Sequence, residues 1–351
     1  MKQLKIILIS ILCGIFLLLC GVLVWGITGF GFKINGNSNN NITFGDYRKV
    51  LEVEVPAERI EVLNLFFDKN SNDIYFYESK SEQILIEEYV NMELSEKEET
   101  KVTETDKVLT LDSPRRNTGV INWGINSKSG YVKVYLPASY EGNLNVTVLS
   151  GDIDSNTDFI LDKDAKFTVS STSGDINLLK AEAKTVDISS VSGDIEAEAI
   201  TAEINISTTS GDIDISACTG NCEADTVSGD IDINSVSGNV DFSTTSGDVS
   251  VGECLGGGRT STVSGDVELH FVKLYENLSV STTSGIISIY IPQNATVQFD
   301  AQTTSGDINT FFDDVLSFNK KGNHASGTYG DGEAVLMEVD STSGDVHIRQ
   351  N

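Results

Sequence analysis

From residue 46 onward, apolar and polar positions alternate in short runs. LEVEV at 51–55, EVLNLFF at 61–67, DIYFY at 73–77 and QILIEEYV at 83–90 each place apolar, β-branched or aromatic residues at every second position. A period of two puts one set of side chains on one face of an extended strand, so these runs predict strands. The acidic stretch MELSEKEETKVTETDK, 92–107, breaks the alternation and reads as a solvated loop, short helix or hairpin tip. The pattern before residue 46 differs. Residues 6–30 form one uncharged apolar stretch, preceded by Lys2 and Lys5 and containing Trp25 near its end. That length predicts a transmembrane helix over 6–30, with residues 1–5 as a cytoplasmic tail and the bulk of the chain extracellular. A cleaved signal peptide would have a shorter apolar core ending in small residues, and a lipidated Cys20 would normally follow a small residue rather than Leu19. Residues 31–45 are rich in Gly, Asn and Ser and read as a flexible spacer.

From residue 150 the alternation becomes a repeat. In TVSGDIDINSVSGNVDFSTTSGDV, 226–249, Ser-Gly recurs at 228, 237 and 246. Ser-Gly pairs with Ser at 173, 192, 210, 228, 237, 246, 264, 284 and 305 are separated by 19, 18, 18, 9, 9, 18, 20 and 21 residues. A main period of 18 with a half-period of 9 predicts a β-solenoid whose coils each hold two strands and two corners. In one unit Ile231 and Ile233 point inward while Asp230 and Asp232 point out. The turn glycines are Gly151, Gly174, Gly193, Gly211, Gly229, Gly247, Gly265, Gly306 and Gly344. The half-way corners carry worn copies, Thr219-Gly220-Asn221, Ser237-Gly238-Asn239 and Leu255-Gly256-Gly257. The residue before Ser-Gly alternates between Thr and Val from Thr172 to Thr283, which suggests that whole coils alternate there. Residues 46–149 form an N-terminal β-rich part, and 150–351 form the repeat, with a loop and irregular turn after 305 covering the open end.

A second internal match is sharper than the period. VKVYLPASYEGNLNVTVLSGDI, 132–153, aligns with ISIYIPQNATVQFDAQTTSGDI, 287–308, with Pro137 and Pro292 at the same interval before Ser-Gly-Asp-Ile. A strand ending in Leu-Pro, followed by Val-x-Val and many SGDI units, resembles the bacterial putative-adhesin family of unknown function. These are β-helical envelope proteins, often with one N-terminal membrane helix, some from Gram-positive envelope-stress operons. The resemblance covers roughly residues 45–350. It implies an all-β, single-stranded, right-handed β-helix and carries no catalytic residues with it.

Composition narrows the function. The 351 residues hold 52 Asp and Glu against 24 Lys and Arg, a net charge of −28, which argues against nucleic acid and anionic polymers as partners. Stacking places Asp175, Asp194, Asp212, Asp230, Asp248 and Asp266 in one column, followed by a gap at Ile286 and then Asp307. Carboxylates about 4.8 Å apart repel by roughly 0.9 kcal/mol per pair in water, so something must offset them. Two readings stay open: hydrogen bonds from turn backbone N–H groups with solvent, or a Ca²⁺ ladder. No other cofactor is implied. Cys13 and Cys20 lie in the apolar stretch; Cys218, Cys222 and Cys254 read as buried thiols, with a small Cys218–Cys222 loop as the alternative. His270, His324 and His347 are scattered, and no nucleophile or metal-hydrolase motif is present. The sequence therefore reads as a non-catalytic, membrane-anchored solenoid with an adhesin-like binding or envelope-scaffold role, its partner an envelope component, glycan or protein. A carbohydrate-active β-helix enzyme using pairs such as Asp212 and Asp214, or a regulatory partner of a membrane sensor, are the alternatives.

Overall fold

A computed structural model describes residues 47–116 and 130–351. The apolar segment 6–30 and the spacer 31–45 lie outside the described residues. Among the described residues, no helix is long and apolar enough to cross a membrane.

The repeat winds into coils as its alternation dictates. Ile231–Val236 lays down one strand, the Ser237-Gly238 corner turns the chain, and Val240–Ser243 lays down the second. Ile231, Ile233, Val236, Val240, Phe242 and Thr244 point into the core, whereas Asp232, Asn234 and Asp241 face solvent. In the regular part of the repeat each coil pairs in parallel with its neighbours eighteen residues away: Ile213 opposes Ile231, which opposes Val249. The result is two walls. Wall 1 follows each Ser-Gly-Asp corner, and wall 2 follows each half-way corner. Between them run closed apolar columns. Ile176, Ile195, Ile213, Ile231, Val249, Val267 and Ile287 form one of these, and every member is at most 1% exposed. A coil alone has no inside; burial arises only when the next coil stacks on it.

The uneven spacings are absorbed at one corner. The register between Ile176–Ser189 and Ile195–Ser207 slips between Glu182 and Thr185, at the half-way corner. The twenty-residue coil from Val267 likewise takes up its extra residues between Gly256/Leu274 and Gly258/Leu278. Both are local bulges. The Ser-Gly-Asp corner keeps strict register throughout, with Ser173, Ser192, Ser210, Ser228, Ser246 and Ser264 bridged in sequence.

At both ends, chain order and spatial order part. On wall 2, Val62–Phe67 lies between Val108–Asp112 and Asn143–Ser150; on wall 1, Asn72–Glu78 lies between Gly130–Leu136 and Ile153–Ser155. The coil formed first along the described chain is therefore second in the stack. The other end mirrors this. Val335–Ser343 lies between the second half of Val267–Ser284 and Val297–Ser305, and Val346–Gln350 lies between Ile287–Ile291 and Ile308–Thr310. The last Ser-Gly-Asp of the sequence, at 343–345, is thus interior, and the coil at 297–310 is outermost.

This arrangement explains the internal match around the prolines. At Pro137 the chain steps from the outermost coil at the N-terminal end to the third, and at Pro292 it makes the same two-coil step. Each step leaves a slot that a segment near one end of the described chain fills. Antiparallel strands then cover the exposed edges. Gln83–Val90 and Arg48–Pro56 extend wall 1, Lys101–Thr105 extends wall 2, and His324–Tyr329 with Leu316–Phe318 closes the far end. Reversing strand direction and adding charge at a sheet edge protects it against pairing with other chains. A buried ion pair ties the first cap together: Arg116 Nη2 lies 2.6 Å from Glu88 Oε1, and Glu88 also accepts from Thr100 (2.6 Å) and Asn72 (3.2 Å).

Candidate functional site

The Ser-Gly-Asp corner is where sequence and chemistry concentrate, and it is built from three stacked columns. The first is glycine. The space a β-carbon would need at Gly211 is filled by the carbonyl oxygen of Gly193, at 2.2 Å, and at Gly229, Gly247 and Gly265 by the preceding glycine's oxygen, at 1.9 Å. Gly174, Gly193, Gly306 and Gly344 are equally confined by a glycine carbonyl of the adjoining coil, and Gly151 by that of Asn72. Glycine is required here by backbone contact between coils.

The second column is hydroxyl. Thr208, Thr226, Thr244, Thr262 and Thr282 are buried, and each donates its Oγ1 hydrogen to the glycine carbonyl one coil back, at 3.1–3.3 Å. Ser171, Ser190 and Ser341 fill the same position in other coils without making that bond. The alternating Thr and Val one residue later lie on the outer side, where Val263 is 50% exposed.

The third column is aspartate. The backbone N–H of each Asp donates to Oδ1 of the Asp one coil back: Asp194 to Asp175 (2.9 Å), Asp212 to Asp194 (2.9 Å), Asp230 to Asp212 (2.8 Å), Asp248 to Asp230 (2.7 Å) and Asp266 to Asp248 (2.7 Å). Where Ile286 interrupts the column, its N–H still donates to Asp266 (2.7 Å). A charge-assisted bond of this kind contributes about 1.5–3 kcal/mol, more than the repulsion between exposed neighbours. The half-way corner uses the neutral equivalent: Asn239 N–H donates to Asn221 Oδ1 (3.1 Å) and Gly257 N–H to Asn239 Oδ1 (3.2 Å).

The column extends beyond the aspartates expected at its N-terminal end. Asp175 N–H donates to Asp152, and Asp152 N–H to Asp73 (3.1 Å), so the corner begins at Ser71-Asn72-Asp73. Those residues with Ile74 spell SGDI with Asn in place of Gly, a signal present in the sequence. The Asn72 side chain donates to Glu88 Oε1 (3.2 Å). At the other end Asp307 does not follow Ile286 directly: Asp345 stands between them, and Asp307 N–H donates to it (2.9 Å).

Among the described residues, no three His, Cys, Asp or Glu side chains are placed to hold a metal ion. Asp175 to Asp266 form a line in which one oxygen of each carboxylate already accepts a backbone N–H. A Ca²⁺ ion takes six to eight oxygens, so we expect the melting temperature to change by less than about 1 °C between millimolar Ca²⁺ and excess chelator. A calcium-dependent rise of several degrees, with calorimetric binding, would support the ladder reading.

The walls carry outward polar lanes. On wall 1, Asn177, Glu196, Asp214 and Asp232 line an open groove of about 440 Å³. Burial, then the carboxylates of Asp232 and Glu196, raise the Asp214 pKa. Asp212 belongs to the corner column and Asp214 to this wall, so the pair serves two separate structures. On wall 2, burial, with the charges of Glu223 and Asp241, pushes Asp225 up to about 6. A folded-state pKa above the unfolded value near 3.8 stabilises the fold at low pH and loses that contribution as pH rises from about 4 through about 6. Asp225→Asn should therefore stabilise the protein at pH 7 by about 1 kcal/mol after solvent screening, and flatten its stability between pH 5 and 7. Thermal melts of both proteins at the two pH values check this.

The remaining reactive groups do not converge. Cys218 and Cys222 are buried thiols across the half-way corner with Sγ atoms 3.6 Å apart; the hydrogen bond to Cys218, then burial, raises the Cys222 pKa well above its usual value. Burial pushes Cys254 up to about 12. His270 contacts Glu268 at 2.8 Å and stacks on Tyr290, and His324 contacts Asp300 at 3.1 Å.

A family model described as Toastrack DUF4097 matches residues 62–253 and 234–349. No curated protein matches the chain. Among solved structures, the chain is similar to a putative adhesin from Parabacteroides merdae, at 12% identity and a TM-score of 0.37, over 87% of this chain and 96% of that one. It is also similar to a putative cell adhesion protein from Clostridium sporogenes (12% identity, TM-score 0.21, 87% and 100%). A putative adhesin from Parabacteroides distasonis matches at 10% identity and a TM-score of 0.30, over 86% and 97%. Similarities this low carry no functional argument.

Proposed function

The chain belongs to the Toastrack DUF4097 family, and we propose that it is a non-catalytic binding scaffold, held by its apolar segment 6–30 on the outer side of a membrane. One observation carries the binding part of this reading. The outward side chains of the coils recur rung after rung, and their most conspicuous carboxylates are engaged in holding coil to coil. A catalytic centre needs unlike groups converging on one point, whereas a repeated wall offers an extended partner many similar contacts. Lys2 and Lys5 before the apolar segment support an orientation with the solenoid outside, where it meets envelope polymers and other cells' surfaces. The test is co-sedimentation of the purified full chain in detergent with isolated cell envelopes, with released reducing ends assayed in parallel. Saturable retention without glycan cleavage is the expected result. Cleavage would replace the scaffold with the carbohydrate-active enzyme, and absence of retention would remove the binding role.

A further inference from the structure

The outward face of wall 1 changes character at its N-terminal end. Six of the chain's ten tyrosines, Tyr47, Tyr75, Tyr77, Tyr89, Tyr131 and Tyr135, gather on the strands next to the first cap. Strand register puts them there: Tyr89 opposes Tyr131, and Tyr77 opposes Tyr135. Tyr89 and Tyr131 stack with ring centres 4.8 Å apart, Tyr47 lies 5.1 Å and Tyr75 6.3 Å from Tyr131, and Tyr77 stacks on Tyr135 at 5.3 Å. The row thus crosses several strands with its rings partly open to solvent.

The surroundings of these rings restrict the partner. Leu85 is the one aliphatic residue facing out from Gln83–Val90, Gly130–Leu136 and Asn72–Glu78, so the face lacks the apolar content that a lipid surface or an obligate protein interface calls for. Its ammonium groups are paired with carboxylates of the same face. Lys49 bonds Glu52 and Glu87, Lys133 stands opposite Glu87 and over the Tyr89 and Tyr131 rings at 5.6 and 5.7 Å, and Asp73 accepts from Asp152 N–H. With Glu52, Asp73, Glu78, Glu87 and Asp154 against Lys49 and Lys133, the face stays acidic and disfavours an anionic polymer. What remains is a surface of aromatic C–H and ring faces interspersed with hydroxyl, carboxylate and ammonium groups. That mixture suits a polyhydroxylated ring, whose C–H faces lie on aromatic carbon while its hydroxyls need both donors and acceptors. The lane also continues. Tyr75 is followed along wall 1 by Asp154, Asn177, Glu196 and Asp214, one per coil. Their spacing of about 4.8 Å is close to the length of one pyranose unit.

We infer that this tyrosine face, continued by the polar lane of wall 1, binds an uncharged polysaccharide laid along the solenoid. The inference rests on the binding-scaffold reading and names its site and ligand class. The full chain in detergent is titrated with two probes, cellohexaose and hexa-N-acetylchitohexaose, and its retention on envelopes is measured beside it. The expected result is saturable binding of at least one hexasaccharide. Tyr89→Thr with Tyr131→Thr, and separately Tyr135→Thr, should weaken it at least tenfold while the melting temperature stays within a few degrees. Asp241→Asn, on the opposite wall, should leave it unchanged. If neither probe binds, or if the tyrosine variants bind as well as the parent, the inference is overturned; undiminished envelope retention by those variants would leave the scaffold role standing with its site elsewhere. Self-association abolished by the same substitutions would assign the face to a second copy and equally overturn the saccharide.

Discussion

Replacing Gly229 by alanine should destabilise the protein by about 3–4 kcal/mol and lower its melting midpoint by roughly 5 °C. The added carbon would sit 1.9 Å from the carbonyl oxygen of Gly211 and 2.6 Å from its carbon, both backbone atoms. Neither can retreat. The Gly211 oxygen is fixed by the Thr226 hydroxyl, and the coils on either side of the corner are held by Asp212–Asp230 and by the Ile213–Ile231 register. Relief requires opening the spacing between coils, which breaks several of these bonds at once. Gly238→Ala is the informative comparison. Its β-carbon would also meet a backbone oxygen, that of Gly220 at 2.3 Å, but it lies on the half-way edge, which already accepts register shifts in two coils. We expect it to cost about half as much. Chemical denaturation of the two variants measures both; a Gly229→Ala protein within about 1 kcal/mol of the parent would mean that the glycine column is dispensable.

The contrast between the two corners bears on how much the sequence could say. The eighteen-residue period, the inward isoleucine and valine columns and the Ser-Gly-Asp edge were readable because each coil repeats the same local problem and solves it with the same residues. The aspartates were readable as a column, but not as acceptors of the next coil's N–H, because that bond joins residues in different coils. The start of the column escaped notice where Asn72 stands for glycine. The hydroxyl column is hidden as well: the Thr/Val alternation beside each Ser faces outward, and the structural threonine is its neighbour. Exposed position and buried position differ by one residue, and alternation alone does not say which side of a corner is inside. The tyrosine face is invisible to periodicity for another reason. Its members come from strands up to 88 residues apart, Tyr47 to Tyr135, brought together by the skipped coil.

That skipped coil underlies the largest effect we expect. Deleting residues 335–351 from an ordinary solenoid would remove its last coil and leave the rest standing, since each repeat leans only on its neighbours. Here the deletion removes an interior coil. Val335–Ser343 pairs with the Leu278–Ser284 edge on one side and with Val297–Ser305 on the other, and Val346–Gln350 joins Ile287–Ile291 to Ile308–Thr310. Met337, Val339, Val346 and Ile348, all at most 2% exposed, would vanish from the middle of the stack. The outermost coil would lose its parallel partners, and the cap strands His324–Tyr329 and Leu316–Phe318, which pair with that coil, would lose its support. Closing the gap would require the chain after Pro292 to shorten a two-coil step to one and repack Phe299 and Phe312, which pack edge to face in the outer coil. Unfolding back to about Ile291 is therefore expected, a loss of structure more than twice the length deleted. Limited proteolysis with mass spectrometry reads the boundary directly: protection should end near residue 291. Continued protection of 297–329 would show that the outer coil can collapse onto its new neighbour, and that the inserted coil contributes length rather than closure.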